Sequence, residues 1–498
     1  MTSLAQKLAS ALASRDDRNI RRRLPSPDLS LSHPPITGSA TEDPATAASA
    51  EAVATTGIIA ITTTSASTPV APSAAPGPAP TPADFSSNDY LSLATSPLLR
   101  ARVLAALHAA PAILGSGGSR LLVHGTAHAA LEARLAREFR SPAALLFNSG
   151  FDANAGFFAC VPQAGDALVH DAAIHASVHD GARTSRIAPG RRRAFAHNDV
   201  RALRNVLCAL RDECAALRTG TASVFVAVES VYSMDGTVAP LCAMLDTMDA
   251  VFPAGNAHMV VDEAHATGLY GPGGRGLVAL LGVEKRVLAR LHTFGKALAA
   301  SGAVLLTNTL IRDYLLNYAR PLIYTTSLSN LAVIAASCSF DLLEDGTAYR
   351  LAARVLDHSV YFQERLCASL VASSIPPRIL SLPAHLQNPL KTQLPTPIIP
   401  ILTPRARALS AHLLTHGVNA RPITWPTVPK GTDRVRVCLH AGNTRAELDR
   451  LVDSAIAWAA AVAREEGVGQ DRGRLRIQED VRVMGTGGGG GLLLQSKL

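Results

Sequence analysis

The stretches Val261-Asp262-Glu263-Ala264-His265 and Thr293-Phe294-Gly295-Lys296 carry the chemistry around which the rest of the sequence is arranged. Asp262 ends an apolar run, and Lys296 lies in a turn of small residues with apolar residues on both sides. Burial lowers the pKa of an amine toward its neutral, nucleophilic form. Such a lysine can hold an aldehyde cofactor as a Schiff base, while an aspartate keeps the nitrogen of the cofactor ring protonated.

Composition limits the classes of protein without choosing one. The 498 residues predict about two to four domains, and 48% hydrophobic residues are enough for a sizeable core. The net charge of +8 fits an anionic substrate, a nucleic acid or a membrane surface. Aromatic residues make up only 4% and are not interleaved with the basic runs at Arg21–Arg23 and Arg191–Arg193, which we expect to be solvated or anion-binding surface. The scarcity of aromatic residues beside the basic runs leads us to expect no nucleic-acid partner. No apolar stretch is long enough to span a bilayer, so we expect no membrane partner.

The cysteines indicate the redox environment. The seven cysteines are scattered and odd in number, and none forms a Cys-x-x-Cys pair. This pattern argues against both a disulfide framework and a zinc site. We therefore expect a reducing compartment and no metal.

The two ends of the chain suggest different destinations. Ser496-Lys497-Leu498 is the peroxisomal address, and it follows a glycine-rich run that would keep it accessible to an import receptor. The first 23 residues alternate Leu and Ala with several arginines, so a mitochondrial presequence is a weaker alternative, opposed by Asp16 and Asp17. We predict a peroxisomal protein, with the cytoplasm as the default otherwise.

The chain divides into five segments. Residues 1–24 are predicted to form a helix with an arginine cluster, and residues 467–498 a flexible tail. Residues 25–83 are dominated by Ala, Pro, Thr and Ser, which cannot offset the entropy of ordering, so we predict a mostly disordered insert with one strand-like run at Gly57–Thr62. Between the insert and the tail lie two domains, 84–331 and 332–466.

The first of these domains alternates short apolar runs with helical segments. The runs predicted as strands are Ala143–Phe147, Ala167–Val169, Ser223–Val228, His258–Val261 and Ala303–Leu306. The segments with helical spacing are Ala127–Phe139, Val200–Arg211 and Leu241–Ala250. This alternation predicts an α/β domain around a largely parallel sheet, with the site formed by loops at the carboxyl ends of the strands.

The second domain has a different pattern. A long helical stretch runs from about Ala332 to Ser369, and the strands Thr396–Leu402 and Val435–Leu439 follow after a Pro-punctuated region. The helix Arg445–Arg464 closes a smaller α+β domain. Arg434 and Arg436 share one face of the last strand, where an inward pair would seek a carboxylate or phosphate.

Further candidates surround the lysine. His175 follows the strand-like run ending at Asp171, and an imidazole can stack on a flat ring, although a lone histidine is more often merely packed. Asn148-Ser149-Gly150-Phe151 precedes a plausible helix start, whose N–H groups would cradle a phosphate. Thr293 could donate its hydroxyl to that phosphate or act only as a cap. Gly115–Arg120 lacks both the Walker lysine and the dinucleotide glycine spacing, so we reject the P-loop and Rossmann interpretations.

Taken together, these residues resemble the α-oxoamine synthases, fold-type I pyridoxal-phosphate enzymes that condense an amino acid with an acyl thioester and release carbon dioxide. The resemblance covers about Phe85 to Ala460 and implies a large domain with a mostly parallel seven-stranded sheet plus a smaller C-terminal α+β domain. The matching stretches are Ser86–Leu91, Gly115–Arg120, His128–Glu132, Ser149–Phe151, Phe195–Val200, Ser233–Gly236, Asp262–His265, Thr293–Lys296 and Ile323–Ser327.

The resemblance implies pyridoxal 5′-phosphate as the cofactor. In this family the lysine forms the Schiff base and then removes the α-proton, the aspartate pairs with the ring nitrogen, the first histidine stacks on the ring, and a serine and a second histidine contact the ring hydroxyl. A threonine reaches the phosphate from the neighbouring subunit of a homodimer. Carried over, these cofactor positions are Lys296, Asp262, His175, Ser233, His265, Gly150, Phe151, Thr293 and Thr326.

The resemblance also implies the substrate side. Arg436 would hold the amino-acid carboxylate, Asn88 would lie near the substrate, and Arg21 would be the N-terminal arginine that contacts the substrate region. The matches at Phe195–Val200 and Pro426–Pro429 favour the branch that condenses L-alanine with pimeloyl-CoA, or a pimeloyl carrier thioester, in biotin synthesis.

Two alternatives remain at this point. A sister reaction could use glycine or serine, as in 2-amino-3-oxobutyrate ligase, 5-aminolevulinate synthase or serine palmitoyltransferase. The chain could also be a non-catalytic partner subunit, which the intact set of Lys296, Asp262 and His265 opposes. Departures from the family pattern are Ser92, Ala297 and Ala299, which stand where the family usually or often has glycine and could narrow the pocket or slow a loop.

Overall fold

The computed structural model describes residues 10, 13–18, 81–115, 117–122, 125–387 and 394–484, with side chains described as far as residue 466. Residues 13–17 are helical. The predictions for Arg21, for the strand-like run Gly57–Thr62 and for the C-terminal Ser496-Lys497-Leu498 lie outside the described residues. None of the helices in this described part is both long and apolar enough to cross a membrane.

The secondary structure alternates strands and helices in the first half and is mixed in the second. The strands are β1 (Ala83–Asp84), β2 (Ala143–Phe147), β3 (Ala167–Asp171), β4 (Arg192–Phe195), β5 (Val224–Glu229), β6 (Ala257–Asp262), β7 (Val287–Thr293), β8 (Ala303–Thr307), β9 (Ile398–Leu402), β10 (Val418–Asn419), β11 (Arg421–Ile423) and β12 (Arg434–Cys438). The helices are α1 (Pro97–Ala109), α2 (Thr126–Glu138), α3 (Gly150–Cys160), α4 (Ala176–Thr184), α5 (Val200–Glu213), α6 (Ala215–Arg218), α7 (Leu241–Val251), α8 (Leu277–Leu280), α9 (Thr309–Tyr318), α10 (Arg320–Ile323), α11 (Asn330–Glu344), α12 (Thr347–Ala372), α13 (Ala406–Thr415) and α14 (Arg445–Met484).

The central sheet has seven strands in the order β2-β8-β7-β6-β5-β3-β4. Only β8 runs antiparallel to its neighbours in this sheet. The prediction of a largely parallel sheet is therefore confirmed. Two of its strands, β4 and β7, were not predicted from the sequence, because arginine and histidine interrupt their apolar patterns. In β7 these polar side chains are buried with partners: Arg290 donates to the carbonyl of Phe139 at 2.9 Å, and His292 lies 2.9 Å from the hydroxyl of Thr267.

Helices cover both faces of the sheet. Val224, Val226 and Val228 of β5 belong to the core under α5 and α7, whereas Phe225 and Ala227 belong to the core under α3 and α4. This alternation follows from the period of two in a strand that is buried on both faces. The residues that end β5 and β6, Glu229 and Asp262, are register partners, so both side chains project on the α3 and α4 side.

The smaller domain is built on the antiparallel sheet β11-β12-β9. The helical stretch predicted to continue to Ser369 is two helices, because Gly346 adopts a left-handed conformation with φ of 82° between α11 and α12. The last helix continues to Met484, so the predicted end at Arg464 is wrong. Residues 470–484 contain four Arg and two Gln with one Leu, one Glu and one Met, and the helix propensity of these residues outweighs the single glycine, Gly473.

The boundary between the insert and the large domain also differs from the prediction. β1 pairs in parallel with β10 of the smaller domain, with Ala83 opposite Val418. The following residues stay on that domain: the carbonyl of Phe85 accepts from the N–H of Cys438, and that of Tyr90 from the N–H of Ala441, both at 2.8 Å. Residues 81–83 therefore do not belong to the insert, and the first residues of the predicted large domain pack on the smaller one.

Two of the residues that replace glycine adopt backbone conformations that favour glycine. Ser92 has φ of 54° and Ala299 has φ of 48°. At Ser92 the side chain compensates, because its Oγ accepts a hydrogen bond of 2.8 Å from the N–H of Gly442. The left-handed region costs an L-residue about 1–2 kcal/mol, so Ala299 carries backbone strain beside the turn that contains Lys296.

We predict that Ala299→Gly raises the free energy of unfolding by about 0.5–1 kcal/mol, because relief of the left-handed strain exceeds the extra entropy of an unfolded glycine. Ser92→Gly should change it little, since relief of strain is offset by loss of a hydrogen bond of about 1 kcal/mol. Urea unfolding of both variants measures this difference. An Ala299→Gly protein that unfolds at lower urea than the wild type would contradict the strain.

Candidate active site

A cavity of about 250 Å³ opens at the carboxyl edge of the central sheet. Its walls come from the ends of β5, β6 and β7, the first turn of α3 and the start of α4. The lining residues are Ser149, Gly150, Phe151, Asn154, His175, Glu229, Asp262, Ala264, His265, Leu291, Thr293 and Lys296. The structure thus gathers in one cavity the lysine, aspartate and both histidines that the sequence singled out.

Lys296 supplies the amine of the cavity. β7 ends at Thr293, and the turn that follows places the lysine Nζ 3.0 Å from Nε2 of His265. Desolvation lowers the pKa of the Lys296 amine from its ordinary value, and the carboxylates of Asp262 and Glu229 oppose that shift. A larger neutral fraction makes this amine a better nucleophile and base.

Asp262 is held in a fixed orientation at the end of β6. Its Oδ1 accepts from the N–H of Ala264 at 2.9 Å, and its Oδ2 accepts from Nδ2 of Asn154 at 2.8 Å. The same Asn154 amide donates to Oγ of Ser177 at 3.1 Å, which ties α3 to α4 beneath the carboxylate. The role of Asn154 was missed from the sequence, where its only signal was its place one turn into a helix that starts at a glycine.

His265 connects the lysine to a chain of polar groups. Its Nδ1 lies 2.6 Å from the hydroxyl of the fully buried Tyr90, which in turn is 3.1 Å from Oδ1 of Asn88. Burial, with the charges of Lys296 and Arg436, lowers the pKa of His265 well below its ordinary value. The neutral imidazole has one donor and one acceptor nitrogen, so it can donate a hydrogen bond to one of Tyr90 and Lys296 and accept one from the other.

The two arginines of β12 are buried, at 8% and 7% exposure, and both contact the loop that contains Ser233 and Met234. Arg436 donates from Nε to the carbonyl of Ser233 at 2.5 Å and from Nη2 to Oδ1 of Asn88 at 3.0 Å. Arg434 donates from Nη1 to the carbonyl of Met234 at 3.2 Å. In the described residues both guanidinium groups thus engage backbone carbonyls of one loop, and Arg436 adds an amide oxygen.

The opposite end of the cavity suits an anion. Ser149 caps α3, its Oγ accepting from the N–H of Asp152 at 3.0 Å. The first-turn N–H groups of a helix have no intrahelical partner and carry the positive end of the helix dipole. Gly150 lies so close to β7 that a Cβ there would be 3.4 Å from Cβ of Thr293, which leaves the threonine hydroxyl beside the helix start. Phe151 meets His175 edge to face, with ring centroids 6.3 Å apart.

Some predicted site residues lie outside the cavity wall. Ser233 contributes its carbonyl to Arg436, and its side chain is not part of the lining, unlike that of His265, which shares its predicted role. The carbonyl of Thr326 accepts from Nδ2 of Asn148 at 2.7 Å, beside the start of α3. Asn88 joins the cavity through Tyr90.

The arrangement fits pyridoxal phosphate at three separate points. Lys296 offers an amine for the aldehyde, Asp262 a fixed carboxylate for the ring nitrogen, and the first turn of α3 with Thr293 a cradle for the phosphate. His175 stands at the mouth, its Nδ1 fixed by a 2.8 Å contact with Oγ of Ser177. These groups line one cavity, so a flat phosphorylated pyridine can meet all of them at once.

Glu229 is a lining residue that the sequence analysis missed. It is 3% exposed, and its Oε1 has no hydrogen-bond partner within the described residues. Burial and the neighbouring Asp262 raise its pKa to about 8. The signal in the sequence was a charged residue directly after the apolar run Ser223–Val228, at the same edge as Asp262.

Comparison with known proteins identifies the family. The family model described as aminotransferase class I and II matches residues 81–454. The chain belongs to the aminotransferase class I and II family. The match begins at the residues that precede β1 and ends within α14, so it includes both domains.

Named relatives narrow the likeness within this family. The 8-amino-7-oxononanoate synthase of Emericella nidulans is 43% identical over 77% of this chain and 90% of its own length. The aminoacyl transferase sphA of Aspergillus fumigatus is 40% identical over 74% of this chain and 79% of its own length.

Solved structures agree with the fold. Serine palmitoyltransferase from S. paucimobilis, with a bound pyridoxal-phosphate–myriocin aldimine, superposes with a TM-score of 0.64 at 26% identity and covers 76% of this chain and 87% of its own. The 8-amino-7-oxononanoate synthase of Francisella tularensis gives a TM-score of 0.58 at 25% identity, covering 77% of this chain and 99% of its own. The predicted fold-type I architecture and the resemblance to α-oxoamine synthases are confirmed.

We predict that Glu229→Gln stabilises the protein at pH 9 by more than about 1 kcal/mol and changes its stability little at pH 5. The raised pKa means that the folded protein favours the protonated acid, so wild-type stability falls as the pH rises from the unfolded value of 4.5 to about 8. The neutral amide has no such loss. Thermal unfolding at both pH values tests this, with Glu364→Gln on the exposed face of α12 as control. Equal stabilities at pH 9 would contradict the buried acid.

Proposed function

We propose that this protein is an 8-amino-7-oxononanoate synthase, a pyridoxal-phosphate-dependent C-acyltransferase of biotin synthesis. It condenses L-alanine with pimeloyl-CoA, or a pimeloyl carrier thioester, and releases carbon dioxide and the free thiol. The observation that carries the proposal is the Lys296 amine, 3.0 Å from His265 and in one cavity with the fixed carboxylate of Asp262. The 43% identity to the Emericella nidulans synthase over most of both chains supports the choice within the family.

The residues that line the cavity have separate roles in the reaction. Bound pyridoxal phosphate supplies an electron sink that stabilises a carbanion next to the amino group. Asp262, held by Asn154 and Ala264, keeps the ring nitrogen protonated. Lys296 tethers the cofactor and, once free, takes the α-proton of the amino acid on its Nζ. His265 lies within hydrogen-bond distance of that nitrogen and orients it.

The substrate side is built by the smaller domain. Arg436 is 7% exposed and holds the amino-acid carboxylate, with Asn88 fixing the end of its guanidinium. The protein carries a net charge of +8, which favours approach of an anionic thioester.

We also propose that the protein acts as a homodimer. Leu114, Leu122 and Tyr324 are 74%, 81% and 73% exposed, which is unusual for large apolar side chains. Backbone hydrogen bonds join the two segments that carry them, for example the 2.8 Å bond from the N–H of Leu331 to the carbonyl of Ile113. A two-fold interface over these segments would cover the apolar side chains and bring Thr326 of one subunit toward the site of the other.

The substrate assignment predicts a specific pattern of turnover. L-alanine with pimeloyl-CoA should give product at least about tenfold faster, as kcat/KM, than glycine or serine with the same donor, since one group in a fitted pocket discriminates by 10-fold or more. A panel of three amino acids with several acyl-CoAs measures this. Turnover of glycine or serine, but not alanine, would move the enzyme to a sister reaction.

Lys296→Ala is the control that separates an enzyme from a scaffold. This variant should lose the visible absorbance of the bound cofactor and all turnover, because no other lining residue supplies an amine. A colourless wild-type protein that ignores added cofactor would instead support a non-catalytic partner subunit.

We further propose peroxisomal localisation through the C-terminal Ser496-Lys497-Leu498, with the import receptor as partner. Removing Leu498 from a fluorescently tagged protein should redistribute it from peroxisomes to the cytoplasm. Extending the chain beyond Leu498 should do the same, since the address requires a free carboxyl end. An unchanged distribution after either change would show that the address is not used.

A further inference from the structure

His197 bridges two acidic side chains next to the active site. Its Nδ1 lies 2.8 Å from Oδ1 of Asp171, and its Nε2 lies 3.2 Å from Oδ2 of Asp235 and 2.7 Å from the hydroxyl of Thr237. The ring also meets that of Tyr232 edge to face at 4.4 Å. This histidine belongs to the stretch Phe195–Val200, which marked the family resemblance and has no role in the site as described so far.

Asp171 is the anchor on one side of the bridge. It ends β3, and its carboxylate accepts from the N–H groups of Ala173 at 2.7 Å and Asn198 at 2.8 Å. Its carbonyl accepts from the N–H of Ile174, the residue before His175. The turn that presents His175 to the cavity is therefore shaped by the same carboxylate that holds His197.

Asp235 lies on the other side, in the loop Ser233–Gly236. Successive carbonyls of this loop receive side chains of the smaller domain: Ser233 from Arg436, and Met234 from Arg434. Gly236 completes the series, since its carbonyl accepts from the hydroxyl of Thr396 at 3.0 Å. Gly236 has φ of 69°, and a Cβ there would lie 2.1 Å from the carbonyl oxygen of Ile398. Only glycine fits at this position, because the loop packs directly against the backbone of the smaller domain.

We propose that His197 is a positioning residue that bridges Asp171 to Asp235 and thereby holds the Ser233–Gly236 loop, whose Ser233 carbonyl orients Arg436 toward the carboxylate of the amino-acid substrate. The inference rests on the proposed function in that it takes the amino-acid carboxylate as the ligand of Arg436. Both imidazole nitrogens face carboxylate oxygens, so the bridge is complete only when both carry a proton.

The bridge depends on pH, because it requires a protonated His197. Hydrogen bonds and charges from Asp171 and Asp235 overcome desolvation and raise the pKa of His197 to about 9. The other titratable and charged groups around the bridge are Tyr232, against the ring, and His385 and Arg434, which face Asp235. A raised histidine pKa contributes stability that is fully present below the unfolded value of 6.5 and is lost as the pH rises through about 9.

Binding of the amino acid to the cofactor-loaded protein tests the proposal without an acyl donor. His197→Gln should weaken binding of the amino acid that the wild type uses by about tenfold, which is the loss of about 1.4 kcal/mol, measured by spectral titration. The KM for the thioester should stay within about twofold. Asp235→Asn breaks the same bridge from the other end and should give the same split, and it serves if His197→Gln fails to fold.

A matched control is His258→Gln. His258 is a half-buried histidine on β6, near the amino end of the strand, that contacts Ser223 at 3.3 Å, and its variant should bind the amino acid as the wild type does. A second readout uses protein without cofactor: between about pH 6.5 and 9 the wild-type melting temperature should fall more steeply than that of His197→Gln.

The outcomes separate the two proposals. Wild-type amino-acid binding by His197→Gln, or an equal weakening for amino acid and thioester, would overturn the positioning role. If the wild type gives no product with any pimeloyl donor but the variant still loses amino-acid affinity tenfold, the proposed function fails and the role of His197 stands.

Discussion

The site depends on one amine and two carboxylates sharing a small desolvated space. Parallel register between β5 and β6 sets Glu229 beside Asp262, and the turn after β7 brings in Lys296. Three ionisable groups cannot all be charged there without cost, and each pKa unit of adjustment corresponds to about 1.4 kcal/mol. Hydrogen bonds from Asn154 and Ala264 hold the Asp262 side chain in place, while desolvation favours the neutral amine and the protonated Glu229. A protonated pyridine nitrogen of the cofactor would pair with the Asp262 side chain.

The smaller domain contributes arginine side chains to this site, and these side chains donate hydrogen bonds to main-chain carbonyls of the large domain. Arg434 and Arg436 bind successive carbonyls, and Arg436 makes no salt bridge to a carboxylate within the described residues. Such a guanidinium can still attract an anionic ligand, whereas a salt-bridged one could not do so as strongly. The conformation of the Ser233–Gly236 loop therefore sets the position of the Arg436 guanidinium, which can bind an anionic ligand.

The site residues that directly follow predicted strands could be identified from the sequence. Asp262, Lys296 and His175 follow apolar runs, and parallel strands end at one edge, so their convergence was foreseeable, as was the α/β class. Asn154 and Tyr90 were not foreseen as partners, because they bind Asp262 and His265 across more than a hundred residues, and a single sequence gives no register for such pairs. The strand β7 was hidden by Arg290 and His292, whose burial is possible only because Phe139 and Thr267 offer partners from elsewhere in the fold. The left-handed residues Ser92 and Ala299 could be suspected only because the family has glycine there.

The attachment of β1 to β10 has a mechanical consequence. The chain from Ala83 to Tyr90 is hydrogen-bonded along the smaller domain, and Tyr90 ends it with its hydroxyl 2.6 Å from His265. Arg436, Asn88 and Tyr90 are therefore attached to the smaller domain, whereas His265 and Lys296 belong to the central sheet. The Tyr90–His265 hydrogen bond crosses between these two groups of residues, so it couples the position of the smaller domain to the imidazole beside Lys296.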